Sequence, residues 1–145
     1  MIGISVSHSL QAPTPTPPGL VWTSRNSTQN HWFAVTYGNG LFVAIAFSYL
    51  YPDNENQVMT SPDGITWTSR TSAAEISWNA VTYGSGTFVA VAENGYPNQV
   101  MTSPDGITWT SRMSAFDNQW NAVTYGSGTF VAVAPYGYPQ VMTSP

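Results

Sequence analysis

Apolar and small polar residues alternate along most of this chain, and no segment carries a helical period of 3.6. WNAVTYG (Trp78–Gly84) puts apolar side chains on alternate positions, as a half-buried strand does. TFVAVA (Thr87–Ala92) is a β-branched run. Between them, Ser85-Gly86 reads as a two-residue hairpin turn, since glycine takes positive φ without a Cβ clash. A polar loop, ENGYPNQ, follows. VMTSP and ITWTSR read as two more strands, joined at Pro62-Asp63-Gly64. There proline presets φ and aspartate can accept from the N–H groups ahead of it.

This set of four strands recurs. VMTSPDGITWTSR occupies Val58–Arg70 and Val100–Arg112, a shift of 42 residues. NAVTYGSGTFVAVA occupies Asn79–Ala92 and Asn121–Ala134, with the same shift. Over Val58–Ala92 and Val100–Ala134 the copies agree at 30 of 35 positions. A looser copy runs through LVWTSR (Leu20–Arg25) and WFAVTYGNGLFVAIA (Trp32–Ala46), and VMTSP (Val141–Pro145) opens a further one. Four strands per 42 residues matches one blade of a β-propeller.

Ser61-Pro62-Asp63-Gly64-Ile65-Thr66-Trp67, and its copy Ser103–Trp109, resemble the Asp-box of sialidase-type β-propellers. The resemblance covers residues 20–145 through the repeat. It implies a structural turn at Ser61, Asp63, Gly64 and Trp67, and at Ser103, Asp105, Gly106 and Trp109, in which the aspartate ties the hairpin and the tryptophan packs between blades. It carries no activity across. The family's box has one residue between Asp and Gly, and here they are adjacent, a turn one residue tighter.

With the motif between the third and fourth strands, the blade strands are A (WNAVTYG), B (TFVAVA), C (QVMTSP) and D (ITWTSR). The chain then reads D, ABCD, ABCD, ABC, beginning and stopping partway through a unit. The expected fold is all-β, with three four-stranded propeller blades per chain closing as a six-bladed ring through homodimerisation, since propellers have about 4 to 8 blades. Leu20–Arg25 is expected to pair with Val141–Ser144 of a sister chain, which removes two open edges. A nine-bladed trimer and a β-trefoil are the alternative architectures. Trp22, Trp67 and Trp109 are expected in the core.

Composition narrows the function. Charged residues are 7 % of the 145, against about 25 % in an average soluble domain. Three Arg and no Lys exclude a phosphate-neutralising surface, hence nucleic acid. With no Cys there is no disulfide frame, thiolate metal site or Cys nucleophile. No run reaches the 18 apolar residues of a membrane span, and MIGISVSHSLQAP lacks the basic and apolar regions of a secretory signal. Solubility then falls to Ser, Thr, Asn and Gln, a surface suited to the cell exterior or a large assembly.

In a four-strand meander, A–B and C–D turns share one end and B–C and D–A connections the other. The five differences between the two close copies (Thr71/Met113, Ala74/Phe116, Glu75/Asp117, Ile76/Asn118 and Ser77/Gln119) all lie in D–A connections. The B–C loops differ as well. Variation therefore gathers at one end, which is either a contact surface or the place where long loops drift. There each repeat sets Tyr-Pro beside amides: Tyr51, then Tyr96 with Asn98 and Gln99, then Tyr138 with Gln140. Each also has a tryptophan at the start of strand A: Trp32, Trp78 and Trp120. Aromatic faces stack on the C–H face of sugars and amides bond hydroxyls, so these nine residues are the candidate ligand-binding set. Interblade packing is the competing role for the tryptophans. Small oligomeric propeller lectins look similar in plan.

No catalytic residue, metal ligand or cofactor motif is read. Arg25, Arg70 and Arg112 fall at the end of strand D, away from a central funnel, where each is expected to bond loop carbonyls or an acid of its own repeat. Glycosidases need two carboxyls flanking a bond, and Glu75, Glu93 and Asp117 form no evident pair. His8 and His31 are isolated. Residues 1–19 form a separate arm: Ile2, Ile4 and Val6 alternate with polar residues, and PTPTPP (Pro13–Pro18) favours stiff polyproline II. The arm is expected to dock on a virion protein by strand addition or to be a disordered tail. The expected function is a non-enzymatic structural and binding protein, extracellular or on a bacteriophage virion, that recognises surface glycans. A free soluble lectin is the alternative and a glycosidase the remote one.

Overall fold

The computed structural model describes residues 17–47 and 56–145. They form eleven strands in three antiparallel sheets, with no helix among the described residues. The first sheet holds β1 (Trp32–Gly38), β2 (Leu41–Ala46), β3 (Val58–Ser61) and β4 (Thr68–Arg70). The second holds β5 (Trp78–Gly84), β6 (Thr87–Ala92), β7 (Val100–Ser103) and β8 (Thr110–Arg112). The third holds β9 (Ala122–Gly126), β10 (Thr129–Val133) and β11 (Val141–Ser144). In each, strands are neighbours in chain order, and no sheet takes a strand from another repeat.

Turn chemistry fixes these meanders. Asn39-Gly40, Ser85-Gly86 and Ser127-Gly128 all have positive φ at both positions, 49° and 75°, 48° and 77°, 50° and 80°. Two successive positive φ values twist the hairpin with the right-handed twist of its strands. The second sheet then runs from Gly84↔Thr87 to Trp78↔Ala92, with an irregularity between Trp78 and Ala80. The first sheet repeats that register from Gly38↔Leu41 to Trp32↔Ala46.

The β3–β4 and β7–β8 turns are held by side chains. The Ile65 and Thr66 N–H groups donate to Asp63 Oδ1 at 2.8 and 2.9 Å, and Ser61 Oγ donates to it at 3.0 Å. The Gly64 N–H donates to Ser61 Oγ at 2.8 Å. Asp105 repeats this with Ile107 and Thr108, both at 2.8 Å. The N–H groups of Thr66 and Ile65 at Asp63, and of Thr108 and Ile107 at Asp105, hold both carboxyls below the usual carboxylate range.

The continuous apolar run of β6 has a plain cause: the second sheet is covered on both faces. Phe88, Ala90 and Ala92 join Val43 and Ile45 of the first sheet in one core cluster. Val91 joins Trp120, Ala132 and Ala134 in another toward the third. The leading strands also pack across sheets, β1 on β5 and β5 on β9. A Cβ on Gly38 would overlap the Tyr83 ring, and one on Gly84 the Tyr125 ring. The glycines that end β1 and β5 are thus seats for the tyrosines of β5 and β9.

Two expectations are corrected. Ile65–Trp67 and Ile107–Trp109 belong to turns, so the fourth strand keeps only Thr68–Arg70 and Thr110–Arg112, because the Asp-tied turn takes those N–H groups out of the ladder. Leu20–Arg25, whose expected partner is a sister chain, is in no strand of the single chain and is exposed throughout. Trp22, expected in the core, is 88 % exposed, because no sheet of the single chain lies against it. Trp67 and Trp109 are half-buried, with centroids 6.5 Å from the Phe42 and Phe88 rings.

Candidate binding face

The loops between the second and third strands gather with the connections that lead into the next sheet. Gln57 Nε2 donates to the Ile76 carbonyl at 2.9 Å, and Gln99 Nε2 to the Asn118 carbonyl at 2.7 Å. Ser72 and Ser114 hydroxyls donate to the same glutamines' Oε1, at 3.2 and 3.0 Å. Each glutamine therefore clasps one sheet to the entrance of the next. Asn118 Nδ2 donates to the Pro139 carbonyl at 2.8 Å and Asn30 Nδ2 to the Asn56 carbonyl at 3.0 Å, which ties each loop to its own sheet's entrance. In the second sheet Ile76 stands at that position, packed under Gly95.

The structure divides the candidate ligand residues. Trp78 and Trp120 are 0 % exposed, with ring N–H groups donated to the Ala74 and Phe116 carbonyls. A ring buried between sheets offers no face to a sugar, so both leave the candidate set. Gln99 is also buried and serves as a clasp. Tyr96 and Tyr138 project outward, 55 % and 89 % exposed, each before a cis proline, Pro97 and Pro139. Asn98 and Gln140 are exposed beside them. Tyr51 lies outside the described residues, as do His8 and residues 1–16 of the arm.

Trp32 is half-buried, its ring N–H donated to the Thr28 carbonyl at 2.8 Å. It lines an open hollow of about 510 Å³ with Asn30, His31, Phe33 and Phe47. Sequence reasoning missed this hollow. Its signal is Phe33, standing where the other repeats have Asn79 and Asn121.

Among the described residues the opposite end holds only short turns, and Arg70 and Arg112 stand at the loop-bearing end, across from Val58 and Val100. Arg70 Nε and Arg112 Nε donate to the Thr60 and Thr102 hydroxyls at 3.1 and 3.0 Å, which join the third and fourth strands. The partner is thus a hydroxyl of the neighbouring strand rather than the loop carbonyl or acid expected. Among the described residues no three of His, Asp or Glu come together as a metal-binding group.

No protein-family model and no curated protein sequence matches the chain. Solved structures do. The computationally designed Ika4 protein aligns over 83 % of this chain and 94 % of its own, at 11 % identity and a TM-score of 0.43. A Bombyx mori GH32 β-fructofuranosidase in complex with sucrose aligns over 72 % of this chain at 14 % identity and a TM-score of 0.45. The chain spans 29 % of that enzyme's length. The designed Ika8 protein aligns over 83 % of this chain and 47 % of its own, at 13 % identity and a TM-score of 0.40.

Proposed function

We propose that this protein is a non-enzymatic structural and binding protein, built of propeller blades, that recognises surface glycans with its loop-bearing end. One observation carries the reading: Tyr96 and Tyr138 stand exposed at equivalent places in two repeats, each beside an exposed amide, while the opposite end is closed by short turns. A phenol ring offers a flat apolar face, and the Asn98 amide supplies a donor and an acceptor for a diol. Repetition adds avidity, since two weak sites at fixed spacing act together.

The blade reading is supported by three separate meander sheets with leading strands side by side. A β-trefoil would instead join strands of neighbouring repeats into one barrel. In this reading two chains complete a six-bladed ring. The low charge and amide-rich surface fit display outside the cell or on a phage particle, with the N-terminal arm as the docking segment.

Screening the full chain on a glycan array, followed by titration of the best hit, tests the binding. Tyr96→Ala and Tyr138→Ala are each expected to weaken it about tenfold or more. An array with no hit, or affinity unchanged in the double variant, would overturn the reading. Particle incorporation lost on deleting residues 1–19, with glycan binding intact, separates a virion protein from a free lectin.

A further inference from the structure

We infer that the outward faces of the first and third sheets are two halves of one junction, closed when a second copy of this chain docks Gly19–Arg25 and β1 against the third sheet. The partner follows from the two junctions already inside the molecule, because each feature that makes them has an unfilled counterpart here.

The tyrosine seats come first. Gly38 holds Tyr83 and Gly84 holds Tyr125, whereas space at Gly126 is open. Tyr37, at the same repeat position as Tyr83 and Tyr125, is 57 % exposed. Phe33 and Val35 are exposed on the same side of β1, and Val133 and Val141 on the outward side of the third sheet. An apolar knob without a seat thus faces out at one end of the stack, and a seat without a knob at the other.

The open edge of β11 comes second. β4 pairs with β3 as Val58↔Arg70, Met59↔Ser69 and Thr60↔Thr68, and β8 pairs with β7 alike. β11 repeats VMTS, and among the described residues it pairs only with β10. Beside it runs a groove of about 500 Å³ between the second and third sheets, lined in part by Val89, Phe130, Met142 and Thr143. In the second sheet the corresponding place beside Phe88 is taken by Trp109. Gly19–Trp22 shares two features with the turns that lead into β4 and β8. Gly19 has φ +83°, against +71° and +74° at Gly64 and Gly106. The Trp22 ring N–H donates to the Gly19 carbonyl at 2.9 Å, as Trp109 does to Gly106 at 3.2 Å. The implied register is Val141↔Arg25, Met142↔Ser24 and Thr143↔Thr23, with Arg25 Nε on the Thr143 hydroxyl.

The clasp comes third. Gln57 and Gln99 are buried and reach the next sheet, whereas Gln140 is exposed and turns back to the Pro135 carbonyl at 3.1 Å. In the docked pair, Gln140 Nε2 donates to the Asn30 carbonyl of the second copy. One copy supplies all three features together. Arg25 precedes Trp32 by 7 residues, close to the 8 that separate Arg70 from Trp78 and Arg112 from Trp120. The inference rests on the ring reading only in taking a second copy as partner, and it holds for any number of copies.

Because the chain has no cysteine, a disulfide reads the register. Ser24→Cys with Met142→Cys is expected to give a reducible covalent link between chains, and Val21→Cys with Met142→Cys none, since a three-residue offset exceeds disulfide reach. By light scattering at about 100 μM, the parent chain is expected at an integer multiple of 15.7 kDa above one. Trp22→Ala and Gly126→Phe are each expected to weaken association at least tenfold with an unchanged circular dichroism spectrum; neither position is packed in the single chain. A parent mass of 15.7 kDa, a link formed within one chain, or association untouched by both variants would overturn the inference. Three copies rather than two would uphold this junction and refute the six-bladed ring. A failed glycan screen leaves the masses unaffected, so the two readings fail separately.

Discussion

At Gly84 the missing side chain is the functional part of the residue. Tyr125 lies where a Cβ would be, so Gly84→Ala forces the ring or the strand to move. Overpacking of this kind costs about 1–3 kcal/mol. Urea denaturation is expected to show that loss for Gly84→Ala and for Gly38→Ala. The turn aspartates give a second prediction. The folded pKa values of Asp63 and Asp105 lie below those of the unfolded chain, because backbone N–H groups donate to the carboxylates. The folded state therefore binds protons less readily, and this stabilisation is whole above the unfolded value of about 3.9 and lost as pH falls through the folded values. Melting temperature is expected to drop on acidification below about pH 4, with a shallower drop in the Asp63→Asn, Asp105→Asn double variant. The turn chemistry was legible because every partner lies within three residues of its aspartate. The burial of Trp78 and Trp120 was not, because an aromatic residue at a strand entrance reads the same whether a neighbouring sheet covers it or water does.

At the scale of the element, the hairpins show how little sequence sets a register. Two left-handed residues align six pairs between β5 and β6. Serine takes that conformation reluctantly, whereas asparagine tolerates it, and the first repeat already uses Asn39-Gly40. Ser85→Asn and Ser127→Asn are each expected to raise stability by a few tenths of a kcal/mol, read as a small rise in melting temperature. The strand order was legible from the repeat because consecutive strands joined by short turns can only meander. The length of the fourth strand was not. ITWTSR has strand composition throughout, but the carboxylate claims the N–H groups of Ile65 and Thr66 before the ladder can.

At the scale of the whole molecule, the proposed docking of a second copy would couple stability to association. Binding of a second copy to the folded chain alone raises the melting temperature with concentration. Between about 5 and 500 μM a rise of several degrees is expected for the parent chain and none for Gly126→Phe. Because the facing groups are mostly tyrosine, tryptophan, valine and glycine, the association is expected to persist at 1 M salt, where ionic contacts are screened. Sequence by itself determined the local program: strand periodicity, the turn type at each hairpin, the aspartate-tied turn and the repeat of 42 residues. All of these rest on interactions within a few residues, and such interactions are written in order along the chain. Tertiary structure alone decided which of three equivalent aromatic positions is covered. Trp78 and Trp120 are sealed between sheets while Trp32 is only half-buried, Trp67 and Trp109 are half-buried while Trp22 stands in solvent, and Tyr83 and Tyr125 are seated while Tyr37 is bare. Identical residues in a repeat have identical propensities; their burial depends on which neighbour the stack supplies, and that is a property of position in space rather than of sequence.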